Sequence, residues 1–188
     1  MFDALSGKIM EALDYKPMRH LLNTAGIERF AGKTPWMQYD MVRLGIGLYG
    51  IKTLPEQDIR PVGAFRTKIS QIKHLDGGTV GYSRRGVIQR PSVIATIPLG
   101  YADGLNRKLG CGNARFLLNG CLVPTIGSIC MDACMLDITG VEAKEGDIVT
   151  IFGENPGVEK IASVLDTIPY EIVTSVSHRV GRILVDNI

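Results

Sequence analysis

The chain has 188 residues, 45% of them apolar and 21% charged, which is the balance of an ordinary globular protein with room for one domain, or one domain joined to part of another. Its formal net charge of +2 gives no reason to expect nucleic acid or an anionic membrane as partner, no apolar run approaches the ~20 residues that span a bilayer, and the N-terminus lacks a signal-peptide core. Four cysteines, Cys111, Cys121, Cys130 and Cys134, form no CxxC pair and have no histidine at ligand spacing, so no metal site is expected and the thiols read as reduced packing groups of a cytoplasmic protein.

Phe2, Leu5, Ile9, Met10 and Leu13 recur at helical spacing, and Pro17 breaks the pattern. The run His20-Leu21-Leu22-Asn23-Thr24-Ala25-Gly26 predicts a short buried strand leading into a polar turn. Residues 41–50, Met-Val-Arg-Leu-Gly-Ile-Gly-Leu-Tyr-Gly, predict a second apolar strand laced with glycine. Two helix–strand units with nearly continuous apolar strands suggest α/β architecture with a parallel sheet. Two units are too few to close a barrel, so the chain is expected to begin inside a larger domain. Ile46, Leu48 and Tyr49 should then lack their usual neighbours.

After Pro61 the pattern is all-β. Residues 62–74 form a long candidate strand and residues 92–97 a short apolar one. Residues 115–118 and 121–124 flank Asn119-Gly120, the strongest short hairpin signal. Strands over 126–137 and 147–152 follow, the second opened by the turn Lys144-Glu145-Gly146. A helix is predicted over 157–165, with Ile161, Val164 and Leu165 on one face, another over 169–176, and a closing strand over 182–185. Short strands punctuated by turns predict a mainly β fold, a small barrel or sandwich of roughly 120 residues.

Three loops collect the residues able to carry protons or charge: Gly78-Thr79-Val80-Gly81-Tyr82-Ser83, Pro98-Leu99-Gly100-Tyr101-Ala102-Asp103-Gly104 and Gly127-Ser128-Ile129-Cys130-Met131-Asp132. Tyr82 and Tyr101 are expected at either end of one hairpin. A phenol is a poor base without a cation nearby, and Arg84, Arg85 and Arg107 are candidates to supply one. Taken singly these residues are bland: Tyr82 as an aromatic hairpin cap, Cys130 and Met131 as core, Asp132 as a solvated edge, His178 and Arg179 as ordinary surface. Arg43 stands out because it lies within an apolar strand, just before Gly45 and Gly47. A cation there, with glycine amides and the Thr24 hydroxyl, would suit an anion such as phosphate at the C-terminal end of a barrel strand.

In this order, the segment 42–50 followed by Gly81-Tyr82-Ser83, Gly100-Tyr101-Ala102-Asp103-Gly104 and Cys130-Met131-Asp132 resembles alanine racemase. The likeness runs from about His20 to the C-terminus, includes Ser177-His178-Arg179-Val180 and residues 147–153, and preserves the spacing between motifs. The resemblance implies a pyridoxal-phosphate enzyme with an N-terminal (β/α)8 barrel and a mostly β C-terminal domain, interconverting L- and D-alanine for peptidoglycan as a homodimer with shared active sites. Residues 1–60 would be the last part of the barrel and 61–188 the C-terminal domain. Tyr82 would be the base acting on L-alanine, Arg43 would face the pyridine nitrogen, and Thr24, Gly45 and Ile46 would contact the phosphate. Met131 would bind the substrate carboxylate through its N–H, with Tyr101, Arg107 and Asp132 lining a polar entrance.

Two departures from the family pattern carry expectations of their own. His178 stands where relatives have a phosphate-contacting tyrosine. The family's Schiff-base lysine motif, resembling Lys-Ala-Asn-Ala-Tyr-Gly, does not occur in these residues, so the chain is expected to be a C-terminal piece, inactive alone. The competing readings are a racemase of serine, lysine or arginine, and a non-catalytic dimerisation module.

Overall fold

In the computed structural model, which describes residues 1–54 and 58–185, the chain's contacts divide it into Met1–Pro61 and Val62–Ile188. The first unit opens with helix α1 (Phe2–Ala12), whose apolar stripe follows the predicted spacing. Strands β1 (His20–Asn23) and β2 (Met41–Arg43) pair in parallel, with His20 opposite Met41 and Asn23 opposite Arg43. The polar turn expected after Leu22 is instead the start of helix α2 (Thr24–Phe30). The cause is Asn23, whose Oδ1 accepts a hydrogen bond from the Gly26 amide at 2.9 Å and so caps the first turn.

The second predicted strand is cut to three residues and continues as a 3-10 turn over Ile46–Tyr49. The Thr24 hydroxyl explains the break, because it accepts hydrogen bonds from the amides of Gly45 and Gly47 and so diverts both from a ladder. Leu48 and Tyr49 are exposed as expected, but Ile46 is buried, at 5% exposure.

The second unit is built on one seven-stranded sheet. Its strands are β3 (Phe65–Lys68), β4 (Gln71–Leu75), β7 (Ser92–Ile97), β8 (Arg115–Leu118), β9 (Cys121–Ile126), β10 (Cys134–Asp137) and β11 (Ile148–Phe152), while β5 (Gly78–Val80) and β6 (Gly86–Ile88) form a separate hairpin. The order across the sheet is β3-β11-β8-β9-β10-β7-β4. Its two edge strands are consecutive in the chain, separated only by Ile69 and Ser70. Ile69 donates its amide to Asp147 beside β11, while Ser70 donates to Thr96 of β7, both at 2.9 Å. The predicted strand over 62–74 is thus one path that bends and serves both edges, curling the sheet into a half-barrel rather than a sandwich.

Asn119 and Gly120 link β8 to β9 with φ of 47° and 81°, the left-handed pair that a tight two-residue hairpin needs. Alternate residues point inward. Phe116, Leu118, Val123, Leu136, Val149 and Ile151 are essentially removed from water. Helices α3 (Val158–Leu165) and α4 (Pro169–Ser175) contact one another. The buried face of α3 is Val158, Ile161 and Ala162, while Val164 is exposed. The run predicted as a strand over 126–137 is interrupted by a loop at Gly127, where φ is 68°, and resumes only at Cys134. Residues 182–185 form no strand; Arg182 instead donates to the carbonyls of Val176, Ser177 and Val180 and folds the segment back on itself.

Leu136 is completely buried in β10, whereas Ile148 at the start of β11 is half exposed. Leu136→Ala should lower the unfolding free energy by about 2–5 kcal/mol and Ile148→Ala by less than about 1 kcal/mol, measured by urea denaturation at unchanged m-value.

Candidate active site

In the first unit, the C-terminal ends of two parallel strands place Thr24, Arg43, Gly45 and Ile46 together. Thr24 is buried at 3% exposure, and its Oγ1 accepts from Gly45 N at 3.0 Å and Gly47 N at 3.4 Å. A hydroxyl that accepts twice still has its own proton to donate. An Arg43 terminal nitrogen donates to the Leu21 carbonyl at 3.4 Å, which ties the guanidinium to the end of β1. A buried hydroxyl with its proton to give and a guanidinium, both at the ends of the two strands, form a donor pair suited to an oxyanion such as phosphate. Among the described residues no group of three or more His, Cys, Asp or Glu is arranged to hold a metal ion.

In the second unit, Tyr82 opens the turn that joins β5 to β6. Gly81 enters it with φ of 76°, and Ser83 and Arg84 both follow with left-handed backbone, at φ 57° and 51°. This geometry projects the Tyr82 ring outward, at 74% exposure. The turn end of the hairpin, at Gly81 and Gly86, presses against the Gly127–Ser128 backbone so closely that a Cβ on Gly86 would lie 2.9 Å from Gly127 N. The two tyrosines are not at either end of one hairpin, contrary to the sequence-based expectation. β6 folds back onto β5, whereas β7, which precedes Tyr101, enters the main sheet between β4 and β10. Among the described residues no hydrogen bond or ring contact joins Tyr82 to an arginine. Arg107 instead stacks over Tyr101, with its guanidinium carbon 6.0 Å from the ring centroid.

The loop holding Tyr101 and the loop holding Met131 are brought together by strand register. Ile97 at the end of β7 sits opposite Cys134 at the start of antiparallel β10, so the chain leaving one strand lies beside the chain entering the other. Tyr101 N donates to the Cys130 carbonyl and Ala102 N to the Met131 carbonyl, both at 3.0 Å. Asp103 is buried at 7% exposure, and its Oδ2 accepts from Gly100 N at 2.8 Å. Its Oδ1 accepts from Arg179 Nε at 2.7 Å, while another nitrogen of the same guanidinium donates to Asp132. These carboxylates, Asp132 foremost, hold the Arg179 pKa above its ordinary value.

Tyr101, Arg107, Met131 and Asp132 therefore share one region of the second unit, and an open groove of about 490 Å³ runs beside it past Tyr101, Arg107 and Glu171. His178 is exposed and adjoins Arg179 in the chain. Burial pushes the Cys134 thiol up to about 12, so it stays protonated and behaves as a packing group; Cys130 lies within the site loop itself. Asp103 and Arg179 received no role from sequence. Asp103 reads as turn composition, and its partner lies 76 residues away.

Residues 62–184 match the family model described as alanine racemase, C-terminal domain, and residues 1–53 the one described as alanine racemase, N-terminal domain. Alanine racemase of Desulfosudis oleivorans is 41% identical over 177 residues, covering 88% of this chain and 44% of its own. Two solved structures are similar. One is alanine racemase from Bacillus anthracis with bound L-Ala-P, at TM-score 0.87 and 29% identity over 99% of this chain and 49% of that one. The other, from Bartonella henselae with covalently bound pyridoxal phosphate, has TM-score 0.81 and 32% identity over 96% of this chain and 50% of that one. The chain belongs to the alanine racemase family, and it spans about half the length of these relatives.

A Cβ on Gly100 would lie 2.3 Å from the carbonyl oxygens of both Cys130 and Met131, whereas one on Gly63 would meet nothing within 4 Å. Gly100→Ala must therefore part the two loops. Thermal melts should show a loss of about 1–3 kcal/mol for Gly100→Ala and less than about 0.5 kcal/mol for Gly63→Ala.

Proposed function

We propose that this chain supplies the Tyr82 face of a pyridoxal-phosphate-dependent alanine racemase, with residues 1–60 as the last part of the cofactor barrel and 61–188 as the C-terminal β domain. The observation that carries the reading is the loop pairing of Gly100–Ala102 with Cys130–Met131, which gathers Tyr101, Met131 and Asp132 beside a hairpin anchored on the same Gly127–Ser128 backbone. Pyridoxal phosphate, when bound, supplies a conjugated ring over which charge left at the substrate α-carbon is delocalised.

The residues of this chain then divide the work. The Thr24 hydroxyl proton and the backbone at Gly45 and Ile46 would contact the phosphate, and the resemblance assigns His178 as a further donor to it. Arg43 would offer the pyridine nitrogen a permanent positive charge and so disfavour a proton there, because two like charges would repel. The Met131 N–H orients the substrate carboxylate, and Tyr101, Arg107 and Asp132 line the approach. The Tyr82 phenol oxygen takes the α-proton from L-alanine, and returns one to the same face in the reverse direction. Racemisation requires a second base on the opposite face, the family's lysine, whose motif does not occur in these 188 residues.

The outward projection of Tyr82 supports action across a homodimer interface, on cofactor held by the other subunit. Among the described residues no helix is long and apolar enough to cross a membrane. We place the enzyme in the cytoplasm, where D-alanine feeds peptidoglycan synthesis.

A polypeptide of these 188 residues mixed with pyridoxal phosphate should not racemise L-alanine; sustained turnover by it alone would show that the second base lies within the chain. In a full-length enzyme carrying these residues, Tyr82→Phe should lower racemisation by about 10²–10⁴-fold with an unchanged melting temperature. Solvent deuterium should cease to enter the α-position of L-alanine while still entering D-alanine. Equal loss of exchange from both enantiomers contradicts the assignment of Tyr82 to one face.

A further inference from the structure

We infer that Arg179 is a positioning residue, which fixes the substrate-carboxylate amide of Met131 by clamping Asp103 and Asp132 with one guanidinium. The inference rests on the racemase reading above, and goes beyond it by assigning a role to a side chain which that reading leaves without one.

Arg179 Nε donates to Asp103 Oδ1 at 2.7 Å, and a terminal nitrogen of the same group donates to Asp132. Asp103 is the buried end of the clamp. Its second oxygen accepts from Gly100 N at 2.8 Å and its carbonyl from Ser177 N at 3.1 Å. One carboxylate thus joins the Tyr101 turn to the segment carrying His178 and Arg179. Asp132 is the exposed end, and it is the neighbour of Met131 in the chain. Between the two carboxylates run the bonds from Tyr101 N to Cys130 O and from Ala102 N to Met131 O. The guanidinium therefore closes a ring of contacts around the Met131 peptide.

The planar fork of arginine suits this task and lysine does not, because one ammonium cannot reach two carboxylates with separate, fixed donors. Placing the Met131 amide serves bound substrate and transition state alike, so its misplacement should raise KM more than it lowers kcat.

The test uses a full-length enzyme carrying these residues, with Arg179→Lys, Arg179→Ala, Asp132→Asn and the double variant Arg179→Ala/Asp132→Asn. The clamp predicts that Arg179→Ala and Asp132→Asn each raise KM for alanine about 10-fold, with kcat within about 3-fold of the parent. It also predicts that Arg179→Lys restores little and that the double variant is no worse than Arg179→Ala alone. Amide hydrogen exchange provides a readout independent of activity: in Arg179→Ala the Tyr101 and Ala102 amides should exchange faster while those of β10 and β11 keep their protection. Unchanged exchange at Tyr101 and Ala102 overturns the clamp. So does an unchanged KM with kcat falling in step with the folded fraction, which is the mark of a brace that serves stability alone. A parent enzyme inert toward alanine, with exchange responding as stated, overturns the racemase reading and leaves the clamp standing.

Discussion

Because β3 and β4 are one run of chain lying on opposite edges of the same sheet, that sheet has no flat solution. Two residues, Ile69 and Ser70, must reach from the β11 side to the β7 side, and their amides bond in those opposite directions. The curl that results closes a core around Phe116, Leu118, Leu136 and Val149. It also fixes where the sheet's ends emerge. With β7 and β10 antiparallel and Ile97 opposite Cys134, the loops around Tyr101 and Met131 have to leave the sheet side by side.

Within those loops the decisive term is electrostatic. A carboxylate as buried as Asp103 is costly unless its lone pairs are met, and here one oxygen takes an amide and the other a guanidinium. The contrast with Arg90 and Asp137 is instructive: that pair is 3.7 Å apart with Arg90 largely in solvent, a geometry that contributes little to stability. Arg179 is half exposed but reaches into the buried site, so removing it would strand a charge rather than dissolve a surface pair. The backbone bonds between the loops set their register, and the guanidinium holds that register at its open side.

Legibility followed the range of each interaction. Asn119-Gly120 was readable because the turn is decided by two adjacent residues. The α1 stripe and the short strands were readable because period alone specifies them. The start of α2 was missed because one side chain, Asn23, turned a polar stretch into a helix cap, and the end of β2 was missed because Thr24 took two amides from 21 and 23 residues away. The candidate residues Tyr82, Tyr101, Met131 and Asp132 stood out as ordered motifs, yet nothing local distinguished a tyrosine in a two-strand hairpin from one that follows a central strand. Asp103 and Arg179 were beyond reach in principle, since a buried carboxylate and its cation are recognisable only once the fold has brought distant segments together.

Tyr82 illustrates what the fold does and does not provide for a proton-transferring phenol. The hairpin is anchored where it enters and leaves its turn, since Gly81 and Gly86 permit contact with the Gly127–Ser128 backbone, and it is strained within the turn, where Ser83 and Arg84 hold left-handed conformations. Such a turn sets the direction in which the chain presents residue 82, at a cost of order 1–3 kcal/mol for each non-glycine residue so held. Within its own unit, however, the ring meets mostly solvent, and among the described residues no hydrogen bond or ring contact joins it to an arginine. A phenol acts as a base only beside a cation and away from bulk water. Under the racemase reading, both conditions must come from the surface that receives Tyr82, so this chain determines where the proton is taken and the receiving surface determines how readily.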